Sequence, residues 1–172
     1  MTKKSVFCIA TSDAQALRIV HALNVEGFAA SDLSVLFPDR EGIRDFGHEA
    51  HTKAPEGATA GMVTGGVLGG IAGWLAGIGS LAIPGLGPFV AAGPILAALG
   101  GAAAGAAAGG LTGALIGLGI PEYEAKRYEG KLRDGNILIS LHTEDRNELR
   151  RARQLFRDAG AEDISSAGEA AA

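Results

Sequence analysis

The chain has 172 residues and a net charge of −4, and 47% of its residues are hydrophobic although only 5% are aromatic. The acidic balance and the lack of a basic block argue against nucleic acid as a main partner. The one cysteine, Cys8, excludes an internal disulfide and indicates a reducing compartment. Met1–Lys4 precede only about six apolar residues, which is too short a run for a signal peptide.

Residues 1–38 are predicted to form the first βαβ half of a small domain. Ser5–Ala10 is apolar and β-prone. Ser12 and Gln15 form a capping box at the start of a helix with apolar residues at helical spacing. Gly27 follows as a helix stop, and a second strand is predicted over residues 32–37.

Residues 39–56 are predicted to be a polar linker. His48 and His51 are close enough in sequence to share a metal ion on one helix face. A structural metal site usually needs four ligands, and no cysteine completes this pair. The sequence therefore predicts no metal site here.

Residues 57–120 contain no Asp, Glu, Lys, Arg or His, and they hold 20 of the chain's 27 glycines. Glycine inside a helix costs roughly 1 kcal/mol relative to alanine. A regular ladder of glycines therefore indicates close backbone approach between helices. The residues predicted to mediate helix packing and oligomerisation recur at every fourth position: Gly61, Gly65, Gly69, Gly73, Gly77, Gly101, Gly105, Gly109, Gly113 and Gly117.

This segment is predicted to be a glycine-zipper helical hairpin. One helix is expected from about Ala58 to Ile83, and the other from about Ala91 or Pro94 to Ile120. At 1.5 Å per residue each spans roughly 40 Å, which exceeds the roughly 30 Å hydrocarbon core of a bilayer. Proline and glycine punctuate helices, and the predicted turn consists of Pro84, Gly85, Gly87 and Pro88.

The uncharged hairpin is expected either in a membrane or inside a soluble assembly. Gly100–Gly110 contains only glycine and alanine, which offer lipid no bulky side chains, so the second helix is expected inside an oligomer. A bulky stripe on the first helix is expected to face lipid or another protein layer: Val63, Val67, Ile71, Trp74, Leu75 and Ile78. A monomeric hairpin is not expected, because two helices cannot hide that much apolar surface.

Residues 121–135 are predicted to form a connecting helix. Tyr123 and Tyr128 are expected either in an interfacial aromatic belt or packed against the α+β domain. At the other end of the second half, residues 169–172 are predicted to be a frayed tail.

Residues 136–168 repeat the plan of the first half. A strand is predicted over Asn136–His142. Asp145 and Glu148 form a second capping box, and the helix that follows ends at Gly160. A short final strand is predicted after that glycine.

The two halves also match residue by residue. The pattern T-x-D followed four residues later by L-R occurs in both. Two βαβ halves in tandem make a ferredoxin-like α+β sandwich, split here by a hairpin inserted between its second and third strands. The alternative is two unrelated βα units. The matching residues are Thr11, Asp13, Leu17 and Arg18, and Thr143, Asp145, Leu149 and Arg150.

No catalytic, cofactor-binding or metal-ligating residue is predicted, so the protein is not expected to be an enzyme. Cys8 lies mid-strand and is expected to be a buried, inert thiol. Its use as a nucleophile would need a base such as His21 or His142, and both histidines are expected at domain edges. The glycine-rich segment contains no lysine, which a phosphate-binding loop requires, so nucleotide binding is not expected. The carboxylates occur singly along the chain, so no acid/base pair is predicted.

Three motifs carry a family resemblance. They are G-F-x-x-S-D-L-S-V from Gly27, A-I-P-G-L-G-P from Ala82, and G-I-P-E-x-E-A-x-x-Y-E-G-x-L-R-x-G-x-I-L-I-S from Gly119. Together with the order of the parts, they make almost the whole chain resemble bacterial heat-induced general-stress proteins. The resemblance implies a bacterial origin and a role in stress tolerance, and it implies no catalytic residue.

The sequence thus predicts a non-enzymatic, stress-associated protein that forms homo-oligomers through the hairpin in or on the cytoplasmic membrane. Both termini are expected in the cytoplasm because the hairpin tip is short and uncharged. The lipid bilayer is a second expected partner in this interpretation, and nucleic acid is not. The alternatives are a cytoplasmic, soluble scaffold or filament with a dry glycine/alanine core, and a ferredoxin-like ligand sensor.

Overall fold

The computed structural model describes residues 4–38, 78–83, 87–101 and 103–168. Across these ranges it contains six strands and five α-helices, with a short 3₁₀ turn over Ala30–Asp32. In chain order the elements are β1 (Lys4–Ala10), α1 (Asp13–Val25), β2 (Leu33–Pro38), β3 (Ile78–Ile83), β4 (Gly87–Ala92), α2 (Pro94–Gly101), α3 (Ala103–Gly117), α4 (Glu122–Arg133), β5 (Ile137–Thr143), α5 (Arg146–Asp158) and β6 (Glu162–Gly168).

The fold is mixed α and β, organised on one antiparallel sheet. The strand order is β3-β4-β2-β5-β1-β6, and every pairing of neighbours is antiparallel. Ile139 of β5 is paired with Cys8 on one side and with Val35 on the other. Because Val35 is also paired with Ala92, β4 extends the sheet beyond β2.

Helices cover both faces of this sheet, and for this reason β1, β2 and β5 are buried almost without interruption. On the first face, α1 and α5 pack over alternate strand residues. On the second face, α2, α3 and α4 pack over the other set. The core of the second face includes Phe7, Ile9, Leu36, Phe89, Ile95, Leu111, Leu115, Tyr128 and Leu138.

The predicted N-caps of α1 and α5 are confirmed. The Ser12 side chain accepts a hydrogen bond from the Gln15 amide, and the Asp145 side chain accepts one from the Asn147 amide. Gln15 makes a longer connection as well, because its side-chain nitrogen donates to the carbonyls of Ala159 (3.1 Å) and Gly160 (2.7 Å). The start of α1 is thereby held to the end of α5.

The prediction that residues up to Ile83 continue a helix is wrong. Residues 78–83 and 87–92 are strands that pair with each other from Ile78↔Ala92 to Ile83↔Gly87. The two segments that flank the predicted turn run in opposite directions, but both are strands. The physical reason lies in β4, where Val90 is buried on the first face and Phe89 on the second, an alternation that only a strand provides.

The predicted second helix is divided. It begins at Pro94, as the proline position indicated, and α2 ends at Gly101. Within α3, Gly110 has non-helical angles (φ 57°, ψ −151°), so the axis is broken there. Among the described residues, every helix is too short, or carries too little apolar sequence, to cross a bilayer.

Candidate functional site

A buried polar cluster lies on the second face, where α2 meets the sheet. His142 of β5 is surrounded by three serine hydroxyls. Its Nδ1 is 2.9 Å from Ser5 Oγ, and its Nε2 is 2.9 Å from Ser140 Oγ and 3.2 Å from Ser34 Oγ. Ser34 Oγ also accepts a hydrogen bond from the Ile95 amide in the first turn of α2 (3.0 Å).

The prediction that His142 lies at a domain edge is wrong, since its side chain is only 4% exposed and the three serines are fully buried. Because Ser34 Oγ accepts from the α2 backbone, its proton is free to be donated to His142 Nε2. The cluster therefore joins three strands to the start of α2. A substrate has no access to hydroxyls buried this deeply, so we interpret the cluster as structural.

Cys8 is buried, as expected. Cys8 lies on the first face of the sheet. Phe7 lies on the second face, where its ring is edge-on to the His142 ring with 6.1 Å between the two ring centres. Cys8 and His142 therefore cannot form a nucleophile–base pair. Burial also raises the pKa of the Cys8 thiol, which keeps it protonated. His21 is on the exposed side of α1.

The structure describes only the second half of the glycine ladder. Gly61, Gly65, Gly69, Gly73 and Gly77 lie outside the described residues, as do Pro84 and Gly85 of the predicted turn. Gly87 and Pro88 begin β4. Gly101 ends α2, and the remaining rungs are in α3: Gly105, Gly109, Gly113 and Gly117.

On α3 the last rungs of the ladder face away from the sheet. Leu111, Ala114 and Leu115 are buried against the second face. The opposite side is formed by half-buried Gly113 and exposed Gly117, with Ile116 beside them. A Cβ placed at Gly117 would have no neighbouring atom within 4 Å, and Ile116 is 42% exposed.

Glu129 of α4 stabilises the helical turn that restarts after Gly110. The break leaves backbone N–H groups without carbonyl partners. The Glu129 carboxylate accepts from the Thr112 amide (3.1 Å) and from its hydroxyl, and the carboxylate is also paired with Arg133 (3.1 Å). A surface cleft of about 420 Å³ is lined by these groups together with Lys126 and Gly130.

The two tyrosines of α4 have different environments. Tyr123 is 75% exposed. Tyr128 is buried, and its hydroxyl donates to the Asp163 carbonyl (2.7 Å) and lies 2.6 Å from Ser165 Oγ. Tyr128 therefore packs against the domain and holds α4 to β6, which excludes it from an interfacial belt.

Within the described ranges, no group of three or more His, Cys, Asp or Glu side chains is placed to hold a metal ion. His48 and His51 lie outside those ranges. Two residues with structural roles were not singled out from the sequence. They are Glu129, which caps a helix from a neighbouring one, and Gly93, at the β4–α2 corner, whose positive φ of 82° is not encoded in a recognisable turn motif.

Comparison with known proteins adds no relative: no family model, no curated protein and no solved structure matches the chain.

Proposed function

We propose that this protein is a non-enzymatic, stress-associated scaffold that assembles with copies of itself. The assembly surface is the outer face of α3, defined as Gly113, Ile116 and Gly117. The observation that carries the proposal is the open space at Gly117 beside the exposed Ile116 side chain. A helix of another copy can approach a surface of this kind closely, because glycine has no side chain to keep the two backbones apart.

The proposal includes a ferredoxin-like core with an insertion. Removing β3 and β4 from the sheet leaves the order β2-β5-β1-β6, with α1 and α5 on one face. This agrees with the β-α-β-β-α-β plan predicted from the two sequence halves. In this interpretation, the chain between β2 and β5 is the insert, and its helices cover the face that would otherwise be open.

A scaffold in the cytoplasm is favoured over a membrane-embedded oligomer by where the bulky side chains of α3 lie. Leu111 and Leu115 are buried on the chain's own sheet, so they are not available to contact lipid. What α3 presents outward is narrow and glycine-rich, which suits another helix better than acyl chains. The stress association rests on the resemblance of the motifs.

A matched pair of substitutions tests the surface. Gly117 and Gly130 are both exposed glycines in helices, and a Cβ placed at either meets no atom within 4 Å. Gly117→Leu and Gly130→Leu should therefore both fold, and both should gain helix propensity. Only Gly117→Leu obstructs the proposed close approach, so it alone should reduce the molar mass measured by light scattering after size-exclusion chromatography.

Two results would overturn the proposal. One is a wild-type protein that is monomeric at all accessible concentrations. The other is an oligomer whose mass is the same in wild type and in Gly117→Leu. Fractionation of the native protein distinguishes a cytoplasmic scaffold from a membrane-embedded oligomer. Recovery in carbonate-washed membranes would favour the membrane oligomer.

A further inference from the structure

Four arginines form a single stripe along α5. Arg146, Arg150, Arg153 and Arg157 are spaced by four, three and four residues, which keeps them on the same side of a helix with 3.6 residues per turn. At 1.5 Å per residue, the stripe is roughly 16 Å long. We name this set the arginine stripe.

The stripe is not neutralised by the described part of the protein. Arg150 donates to the Asn147 side-chain oxygen and Arg153 to the Ser166 hydroxyl, both of which are neutral acceptors. Arg146 and Arg157 make no ion pair or side-chain hydrogen bond with any described residue. No described carboxylate therefore forms an ion pair with an arginine of the stripe.

Three carboxylates on or beside α5 accept hydrogen bonds from neutral groups and not from the stripe. Glu148 accepts from the Thr143 hydroxyl, Asp158 accepts from Gln154 (2.8 Å), and Asp145 caps α5.

Arg151, the fifth arginine of the helix, differs from the stripe. Its guanidinium lies 5.1 Å from the centre of the Phe28 ring and 3.9 Å from the Glu26 carboxylate. This arginine therefore has a structural role in covering Phe28 between α1 and α5. The four stripe residues have no comparable role in the described fold.

The contact between Arg153 and Ser166 places the stripe beside β6. Among the described strands, β6 is paired with β1 alone, so it forms one edge of the sheet. The two carboxylates at its start are already paired with cations of α4, Asp163 with Arg127 and Glu162 with Lys131. An edge strand and a row of arginines that have no carboxylate partner among the described residues thus lie side by side.

We propose that this edge binds an extended, acidic segment of a partner protein, which adds to the sheet as a strand next to β6. An extended strand places alternate side chains roughly 6.7 Å apart on one face, close to the roughly 5.4 Å rise of one helical turn. Arginine side chains are long and flexible enough to make up the difference between these two spacings. Carboxylates at alternate positions would meet the arginine stripe, and guanidinium groups bind carboxylates through paired hydrogen bonds.

A second copy of this chain is a poor occupant of the same edge. Antiparallel pairing of two β6 strands about a two-fold axis perpendicular to the sheet keeps both α5 helices on one face. The two arginine stripes would then face each other, and like charges repel. The stripe therefore selects against self-pairing while it attracts an acidic strand.

Nucleic acid also fits less well than an acidic peptide. Single-strand binding relies on aromatic rings that stack on bases. Tyr123 is the one aromatic side chain among the described exposed large hydrophobics, and it is on α4, which covers the other face of the sheet.

Fluorescence anisotropy of labelled probes tests the proposal on the full chain. The main probe is a peptide of alternating glutamate and valine. Its controls are a lysine–valine peptide, a glutamate–proline peptide of equal charge that lacks half of the backbone donors, and a thymidine oligonucleotide of equal charge. Binding of the glutamate–valine peptide alone, weakened by added salt, is the expected result.

Charge-neutralising variants then locate the site. Arg150→Gln/Arg157→Gln should weaken binding about tenfold, because it removes two exposed charge pairs. Arg18→Gln/Lys126→Gln removes the same charge from exposed positions on other helices and should leave the affinity unchanged. Circular dichroism checks that both variants keep the fold.

The alternatives give different results. Equal weakening by both double variants would mean that only net charge matters, and it would overturn the site. Equal binding of the glutamate–proline peptide would overturn strand addition at β6. Tighter binding of the oligonucleotide than of any peptide would overturn the assignment of the partner. No binding of the glutamate–valine peptide would overturn the proposal as a whole.

Discussion

Gly93 provides the most sensitive test of how α2 joins the sheet. It lies between β4 and α2 with a φ of 82°. A Cβ placed there would be 1.9 Å from the Leu33 carbonyl oxygen and 2.9 Å from the Ser34 Cα. Both atoms belong to the backbone of β2, which is fixed between β4 and β5. Gly93→Ala therefore cannot be accommodated by a side-chain movement.

The cost of Gly93→Ala has two parts. A left-handed φ costs an alanine about 1–2 kcal/mol. Moving the corner away from β2 also breaks the bond from the Ile95 amide to Ser34 Oγ, and leaving a buried polar group unsatisfied costs about 1–3 kcal/mol. The expected loss in the free energy of unfolding is therefore about 2–5 kcal/mol, a large share of the 5–15 kcal/mol typical of domains.

Gly27→Ala is the matched control. Its φ of 84° is nearly the same, but a Cβ at Gly27 has no atom within 4 Å, so only the backbone strain of about 1–2 kcal/mol applies. Urea unfolding followed by circular dichroism compares the two variants. If Gly93→Ala were no less stable than Gly27→Ala, the close approach of the β4–α2 corner to β2 would be refuted.

Three further predictions concern single side chains. Tyr128→Phe removes two hydroxyl hydrogen bonds and should lower the free energy of unfolding by about 1–2 kcal/mol. Because burial raises the pKa of Tyr128, the wild type should also lose stability as the pH rises above about 10, the ordinary tyrosine value, and Tyr128→Phe should lose less. The buried Cys8 thiol should react with a thiol reagent only as fast as the protein opens, and fast labelling of the native state would contradict its burial. Glu129→Gln should speed hydrogen exchange in the turn after Gly110, because a neutral amide is a weaker acceptor for the Thr112 amide than a carboxylate; unchanged exchange would contradict the capping role.

The local signals of the two flanking halves could be read from the sequence. Ser12 and Asp145 are capping residues with a defined geometric role, and both cap the helices predicted for them. Signals of this type depend on a few neighbouring residues. They do not depend on what the rest of the chain contributes, and this explains why they were predicted correctly.

The strands over 78–83 and 87–92 could not be read in the same way. The four-residue glycine spacing predicts helices on both sides of a turn in this part of the chain. What decides the structure is non-local, because β4 pairs with β2, more than 50 residues earlier, from Val35↔Ala92 to Pro38↔Phe89. Long-range pairing of this kind overrides local propensity.

His142 was misplaced for a related reason. On a sheet with one open face, alternating polar residues such as Ser140 and His142 are expected to face water. Here α2, α3 and α4 cover that face, and the polar side chains are satisfied by one another and by the start of α2. The arginine stripe, by contrast, is visible in the sequence as a 4-3-4 spacing. It is missed when a basic surface is sought as a continuous block.

The sheet separates the two surfaces proposed for this protein. The uncharged composition of α2 and α3 is explained in part by the sheet, because Ile95, Leu111 and Leu115 fill the second face. The outer side of α3, proposed above as the assembly surface, is not part of that core. The arginine stripe lies on α5, which packs on the first face. Since the sheet lies between these helices, a copy held in an assembly through α3 keeps α5 and the β6 edge accessible, so an acidic partner and a second copy would not compete for the same surface.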